Sequence, residues 1–520
     1  MVVVAVTAMM AGSDRPAGAA QSSSNGDCLF CHSIERIEVE FDNGDVVSAH
    51  VDETIFGESL HGGLACVACH AGKGEYPHEE LTAESADEYA SITVATCEKC
   101  HSEAAAENDM GIHQGAVESG DYSAPICSDC HGAHDVTRAP ATQTEVTALC
   151  TSCHLNAGYS MTASVHGDSV LESGNLLAAT TGQPSCLDCH GSHSVDAVAG
   201  IDPSMCTTCH EEAVSEYDHS VHGIGLINGQ ADVATCGDCH GSLHTMVPAT
   251  AADSPLYPLN LPQTCAKCHA DDDLAARHGI EVENAYQLYM DSIHGHALWE
   301  SGLLVAAGCS ECHGDHNILA KEDLDSTVNR ENIPQTCGTC HAGILVDYEL
   351  SIHGTELASG NRHVPVCTDC HSAHEISEVD TEDSQLSSVG ECGGCHAESL
   401  ETFQDTFHGQ VASLGFTPAA QCSDCHGSHK ILPQSDPNSN ISEAHLLETC
   451  RQCHEKANEN FVKYNPHANA EDREAFPVLF WVTKFMEYLI IGVFAFWGFH
   501  TLMSFLRSIQ IRRSGERLGN

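Results

Sequence analysis

The sequence predicts a mostly irregular and α-helical chain: short helices and loops wrapped on a row of bound groups, little β-structure, and one C-terminal transmembrane helix. Three observations predict it. A Cys-x-x-Cys-His pentapeptide recurs fifteen times between Cys28 and His454. The residues around these pentapeptides include too few large apolar side chains to build a conventional core. Tyr488–Leu506, near the C-terminus, runs nineteen residues without Asp, Glu, Lys or Arg.

The pentapeptides come first because they use every cysteine. Positions i, i+3 and i+4 of a helical turn share a face, so Cys392, Cys395 and His396 can present two thiols and one imidazole to the same object. That set fits the attachment of a c-type haem, with two thioethers to its vinyl groups and one axial nitrogen to its iron. The cysteines pair as Cys28 with Cys31, Cys66 with Cys69, Cys97 with Cys100, Cys127 with Cys130, Cys150 with Cys153, Cys186 with Cys189, Cys206 with Cys209, and Cys236 with Cys239. Further on come Cys265 with Cys268, Cys309 with Cys312, Cys337 with Cys340, Cys367 with Cys370, Cys392 with Cys395, Cys422 with Cys425, and Cys450 with Cys453. The adjoining proximal histidines are His32, His70, His101, His131, His154, His190, His210, His240, His269, His313, His341, His371, His396, His426 and His454. Fifteen pairs account for all 30 cysteines. A disulfide framework needs no histidine after every second cysteine, and a zinc ribbon pairs one Cys-x-x-Cys with another.

On these motifs the chain resembles the multihaem c-type cytochromes built from doubled CxxCH repeats, over about residues 28–467. The resemblance implies fifteen covalently attached haems c, and attachment outside the cytoplasm.

Composition supports the second observation. Cys28 to Ala475 contains seven Phe and one Trp, Trp299, for fifteen motifs. Burial of large apolar groups is what stabilises a core, so the porphyrins must take that part. An apoprotein that stays largely unfolded follows from the same reasoning. Charge is uneven: residues 1–475 carry 15 Lys/Arg against 72 Asp/Glu, and residues 476–520 carry 5 against 2. So acidic a chain disfavours nucleic acid and would steer basic redox proteins or cationic metal species towards itself. The same acidity would serve equally to keep a core-poor protein soluble or adapted to salt.

A second set of histidines recurs with the motifs. From the fourth motif onward the even-numbered ones are followed by a further histidine: His134, His193, His244, His316, His374 and His429. The second motif lacks one, and His78 is the nearest substitute. Between each bare odd motif and its even partner lies a His-Gly or close relative, at His61, His113, His166, His222, His294, His353 and His408; His467 follows the last motif. These are fifteen candidates for the sixth, distal position on fifteen irons. A histidine three residues past a proximal one cannot reach the opposite face of the same haem, so it must serve another. Five His-Gly histidines lie twelve residues beyond a bare-motif histidine, as His113 does beyond His101. They are expected to close on their own haem, with a neighbouring haem as the alternative. His219 and His278 are the alternatives to His222 and His294; His50, His296, His363 and His445 are expected to have other roles. No methionine recurs with the repeat, so bis-histidine haems of low potential are expected.

The two ends differ from the repeats. Residues 1–20 read as an atypical or truncated signal sequence: an apolar run and small residues without a basic start. Residues 28–475 form the pentadecahaem domain of seven two-haem repeats plus one haem, residues 476–506 the transmembrane anchor, and residues 507–520 a basic tail. Nineteen residues span about 28 Å as a helix, close to a bilayer core of about 30 Å. Arg507, Arg512, Arg513 and Arg517 put the C-terminus in the cytoplasm and the haem domain in the periplasm or exterior. His500, inside the span, leaves three readings open: a ligand to a b-type haem, part of a quinone pocket, or an interhelical hydrogen bond.

The functional expectation is an electron carrier, not an enzyme. It would pass electrons along low-potential haems between the quinone pool, or a quinol-oxidising or cytochrome b membrane subunit, and periplasmic or extracellular acceptors. The alternative is a multihaem oxidoreductase acting on a nitrogen or sulfur oxyanion at a five-coordinate haem.

Overall fold

The computed structural model describes residues 24–140, 142–167, 184–196, 203–280, 282, 284–379 and 381–517. The expected signal sequence at 1–20 lies outside them. The described chain forms two compact units, residues 1–260 and 261–520, and apart from one long C-terminal helix both are built from helices of one to four turns. Its only strands, Glu38–Glu40 and Val46–Ser48, make one antiparallel hairpin with Val39 opposite Val47. Buried hydrophobic side chains are few and scattered: among the described residues they are Phe41, Ala83, Val94, Val146, Val214, Ala275, Leu298, Val366, Phe403, Ala412 and Ala457. They do not form a core, as the composition predicts.

The two kinds of motif fold differently. In five of the eight bare motifs the histidine stands at a junction between helices. His101 precedes the helix Ser102–Asn108, His154 precedes Leu155–Ala163, and His341 precedes Ala342–Leu350, each as N-cap. In even motifs the pentapeptide is itself a single helical turn, as in Cys127–His131 and Cys367–His371. So short a helix leaves its first N–H groups without intrahelical partners. An acidic residue between the cysteines meets that need: Asp129 accepts from Ile126 N–H at 2.7 Å, Asp188 from Ser185 at 2.6 Å, and Asp369 from Val366 at 2.7 Å. Asp238, Glu311 and Asp424 repeat the bond.

The turn ends on a residue with positive φ and extended ψ, a region essentially restricted to glycine. Gly132, Gly191, Gly241, Gly314 and Gly427 occupy it. Ser372 is the exception, at φ 59° and ψ 178°. Ser372→Gly is therefore expected to stabilise the holoprotein by about 1 kcal/mol, seen as a higher thermal midpoint; an unchanged or lower midpoint would show that the serine is unstrained.

The chain closes on one helix, Pro477–Arg517, whose side chains are largely exposed. Its segment Pro477–Ser514, which contains an 18-residue window of mean hydropathy 1.8, is long and apolar enough to cross a membrane. The helix runs past the apolar stretch through Arg507, Arg512 and Arg513, so the basic segment begins as its last turns.

Candidate haem-ligand pairs

The structure sorts the histidines into pairs. Even-motif histidines face trailing histidines of the next even motif. Ring centroids of His70 and His134 lie 5.9 Å apart, His131 and His193 6.2 Å, His190 and His244 5.8 Å, His313 and His374 6.0 Å, and His371 and His429 6.0 Å. Bare-motif histidines face the His-Gly histidine of the preceding repeat. These pairs are His101 with His61 at 6.1 Å, His154 with His113 at 6.2 Å, His210 with His166 at 6.2 Å, His341 with His294 at 6.2 Å, His396 with His353 at 6.4 Å, and His454 with His408 at 5.9 Å. The two ends are completed from outside both classes: His32 faces His78 at 6.2 Å, and His426 faces His467 at 6.2 Å.

This corrects one expectation. The twelve-residue interval does not join its two histidines: His113 meets His154, not His101. From His101 the chain enters the helix Ser102–Asn108, which carries it about 10 Å onward at 1.5 Å per residue. Ile112 N–H then bonds Val195 O at 2.8 Å, fastening His113 beside a different site. His222, His240, His269 and His316 hold the corresponding chain positions: His222 in the helix Val221–Ile227, His240 and His269 ending Cys236–His240 and Leu261–His269, and His316 three residues past His313.

Local sequence explains how His-Gly sites are held. A Ser or Thr two residues before the histidine caps its helix: Ser220, Ser292, Ser351 and Thr406 accept from the N–H of Gly223, Gly295, Gly354 and Gly409 at 3.0–3.1 Å. Ser220 and Ser351 are wholly buried. The glycine is needed for close approach, since a Cβ on Gly354 would collide with the carbonyl oxygen of Tyr348. Gly354→Ala should cost about 2–3 kcal/mol, lowering the denaturant midpoint and loosening His353; wild-type stability would show that the carbonyl can yield.

One backbone bond then ties the two ligand classes together. The residue before a His-Gly histidine donates to the residue two past a trailing one: Leu60 to Val136, Ile112 to Val195, Val165 to Met246, Ile293 to Ile376 and Ile352 to Ile431, all at 2.7–2.8 Å. Distal candidates for neighbouring sites are thereby attached to each other. Sequence reasoning missed these ties, the capping acids, and three tyrosines. Tyr217, Tyr289 and Tyr348 each donate from the hydroxyl to a carbonyl two residues before an even motif, at Ala234, Ala307 and Pro365. Each tyrosine stands five residues before its His-Gly, a regularity visible in the sequence.

The donor set fits haem iron. Two metal–nitrogen bonds of about 2 Å, with about 1 Å from each nitrogen to its ring centre, place bis-imidazole centroids about 6 Å apart. Several rings are oriented through Nδ1, leaving Nε2 for metal: His32 to Ala49 O at 2.7 Å, His78 to Glu75 O at 2.8 Å, and His193 to Glu107 at 3.2 Å. Burial, and then neighbouring imidazoles, lower the basicity of His70 and His313, which favours the neutral, ligating form. In the first unit the cysteines and histidines of the first seven motifs line one cavity of about 3040 Å³. A pocket for a single small molecule holds about 300–1,000 Å³.

Cysteines show which sites adjoin. The first cysteine of each bare motif lies beside the first of its even partner: Cys28 with Cys66, Cys97 with Cys127, Cys150 with Cys186, Cys206 with Cys236, Cys265 with Cys309, Cys337 with Cys367, and Cys392 with Cys422. The interaction between the two thiols pushes Cys150 up and brings Cys186 down to about 6. Such shifts belong to free thiols and end once thioethers form. The second cysteine of an even motif instead adjoins the next bare motif. Cys130 stands beside Cys153, Cys189 beside Cys206 and Cys209, Cys312 beside Cys337 and Cys340, Cys370 beside Cys392 and Cys395, and Cys425 beside Cys450 and Cys453.

The second cysteines of the eighth and later motifs, Cys239, Cys268, Cys312, Cys340, Cys370, Cys395, Cys425 and Cys453, do not line the cavity of the first unit, whose cysteines end with the seventh motif. Cys239 lies in the turn Cys236–His240, near the Tyr217 hydroxyl. Cys268 is the last residue before His269 in the helix Leu261–His269 and is half-buried. Cys340 and Cys453 are exposed, each directly before its bare-motif histidine. Each therefore keeps its place beside its own proximal histidine.

Of the remaining histidines, His219 Nδ1 bonds Ser215 O at 2.6 Å and His296 Nδ1 meets Glu300 at 3.0 Å. His50 Nδ1 is buried without a partner among the described residues.

Paired imidazoles beside paired thiols, around a cavity of this size, define a multihaem c-type cytochrome with covalently bound haem c. The comparisons with known proteins agree. The cytochrome c3 family profile matches residues 121–211. The multihaem cytochrome MtrA of Shewanella baltica is 26% identical over 216 residues, covering 41% of this chain and 46% of that relative. The chain thus spans about half the length of the curated relative it matches. No solved structure matches.

Proposed function

We propose that this chain is a membrane-anchored electron carrier holding fifteen bis-histidine haems c. The observation that carries the reading is the cross-pairing: in the eleven pairs of the two regular classes the distal imidazole comes from a different repeat than its proximal partner, which fastens those consecutive sites to one another. When bound, haem c supplies a one-electron iron couple, and two imidazoles leave its potential lower than histidine with methionine. The chain's own part is positional. Adjoining cysteines bring thioether-bearing edges together within a repeat, and the shared backbone bonds hold successive distal ligands in register.

The helix Pro477–Arg517 supports a donor in the membrane, either the quinone pool directly or a quinol-oxidising or cytochrome b subunit. In this reading its arginines lie in the cytoplasm and the haem domain outside. Acceptors would be periplasmic or extracellular redox partners, with basic surfaces favoured by the acidity of residues 1–475. His500, edge-on to Trp497 with centroids 5.6 Å apart, is available to a quinone, a b-type haem or a partner helix.

Two measurements test the proposal. The oxidised protein should be entirely low-spin and should exclude cyanide; a substantial high-spin signal would defeat the two-histidine ligation. A menaquinol analogue should reduce the protein in membranes, and failure even with membrane subunits present would remove the quinol donor.

A further inference from the structure

His467, like His78, belongs to neither regular class of distal candidate. It has none of the helix, following glycine and Ser or Thr cap of the His-Gly sites, and it trails no even motif. Its imidazole meets Thr402 Oγ1 through Nδ1 at 3.1 Å, and its N–H donates to Asn465 Oδ1 at 2.9 Å. Beyond it the chain does not swing free. Asn469 accepts from Glu471 N–H at 2.8 Å, and Asp472 Oδ1 accepts from Glu474 and Ala475 at 2.8 and 2.9 Å. Phe476 N–H then bonds Asp472 O, and Phe480 N–H bonds Phe476 O inside the long helix. Side chains fasten the same segment to that helix. Lys484 bridges Glu471 at 2.9 Å and Glu487 at 3.1 Å, and the Arg473 guanidinium lies over the Trp481 ring at 5.3 Å.

We propose that the C-terminal helix, acting through Lys484 and Trp481 on the strap 468–476, is what keeps His467 on the iron held by His426. This rests on the bis-histidine reading above. The clamp residues are positioning residues: none contacts the His426–His467 site, and they act through the chain that carries His467. Where the other distal histidines are seated by their own repeat, this one depends on the anchor. Loosening the clamp would open one coordination position to a small ligand such as cyanide and leave the other sites closed. The wild-type row is then closed only while the strap stays fastened.

The test uses full-length holoprotein in detergent or proteoliposomes, with haem content measured per polypeptide. Wild type should show no high-spin ferric signal and no cyanide uptake. Lys484→Gln combined with Trp481→Ala, and separately a flexible Gly/Ser insertion between Ala475 and Phe476, should each add one high-spin haem and one equivalent of bound cyanide at unchanged haem content. His467→Ala is the reference and should give the same single opening. If His467→Ala opens a site while both clamp variants stay low-spin, the strap has no positioning role and the proposal is overturned. If His467→Ala itself opens nothing, His467 is not a ligand, and the bis-histidine reading fails at this site along with the proposal.

Discussion

Replacing His353 by alanine is expected to open the iron held by His396 and to leave the one held by His341 unaffected. His353 follows His341 by twelve residues, yet its ring lies 6.4 Å from His396, while His341 is matched with His294 at 6.2 Å. Loss of one axial imidazole should convert one low-spin haem per chain to high-spin. Which haem is affected can be read from double variants by counting the low-spin haems lost in electron paramagnetic resonance. His353→Ala with His396→Ala strips one site of both ligands, so one is lost. His353→Ala with His341→Ala damages two different sites, so two are lost. The opposite counts would mean that the His-Gly histidines serve their own repeat.

Chain produced without haem attachment is expected to lose nearly all tertiary structure. Burial of a large apolar side chain contributes about 1.5–3 kcal/mol, whereas ordering one residue's backbone costs about 1–2 kcal/mol. The buried hydrophobic residues are few, and Ala83, Ala275, Ala412 and Ala457 among them bring little area, so protein side chains alone fall far short. Thioether formation and iron ligation make up the difference, coupling metal binding to folding. Apoprotein from a host lacking haem-attachment machinery should show disordered far-ultraviolet circular dichroism up to about residue 475, with helix signal retained only from the C-terminal segment. A cooperative thermal transition in such apoprotein would mean that the loops carry a core of their own.

The classes of candidate ligand were legible because spacing states them: a pentapeptide on a helical turn, a histidine three residues later, a His-Gly between. That a trailing histidine such as His429 pairs away from its own motif was also legible, since three residues cannot round a macrocycle, and its ring faces His371. The partner of His113 was not, because a twelve-residue interval fixes contour length but not direction. Direction comes from the helix after His101 and from the Ile112–Val195 bond, and the latter pairs residues far apart in sequence. Asp129, Asp369 and their equivalents stood in plain view inside the motifs, but their capping role follows only once the pentapeptide is known to be an isolated helical turn. The positive φ of Ser372 carries no sequence signal beyond standing where its counterparts have glycine.

The pairing rule also accounts for the two histidines that fit no class. A bare motif borrows from the repeat before it, and His32 has none before it; an even motif borrows from the even motif after it, and His426 has none. His78 and His467 fill those two places. For the same reason the second motif needs no trailing histidine, since no even motif stands before it in residues 1–65. Within each unit, excising or duplicating a whole two-haem repeat would rejoin a donor to a recipient of the same kind. His78 and His467 thus stand where the terminal caps of a solenoid stand, each completing a pair that the repeat pattern by itself leaves open.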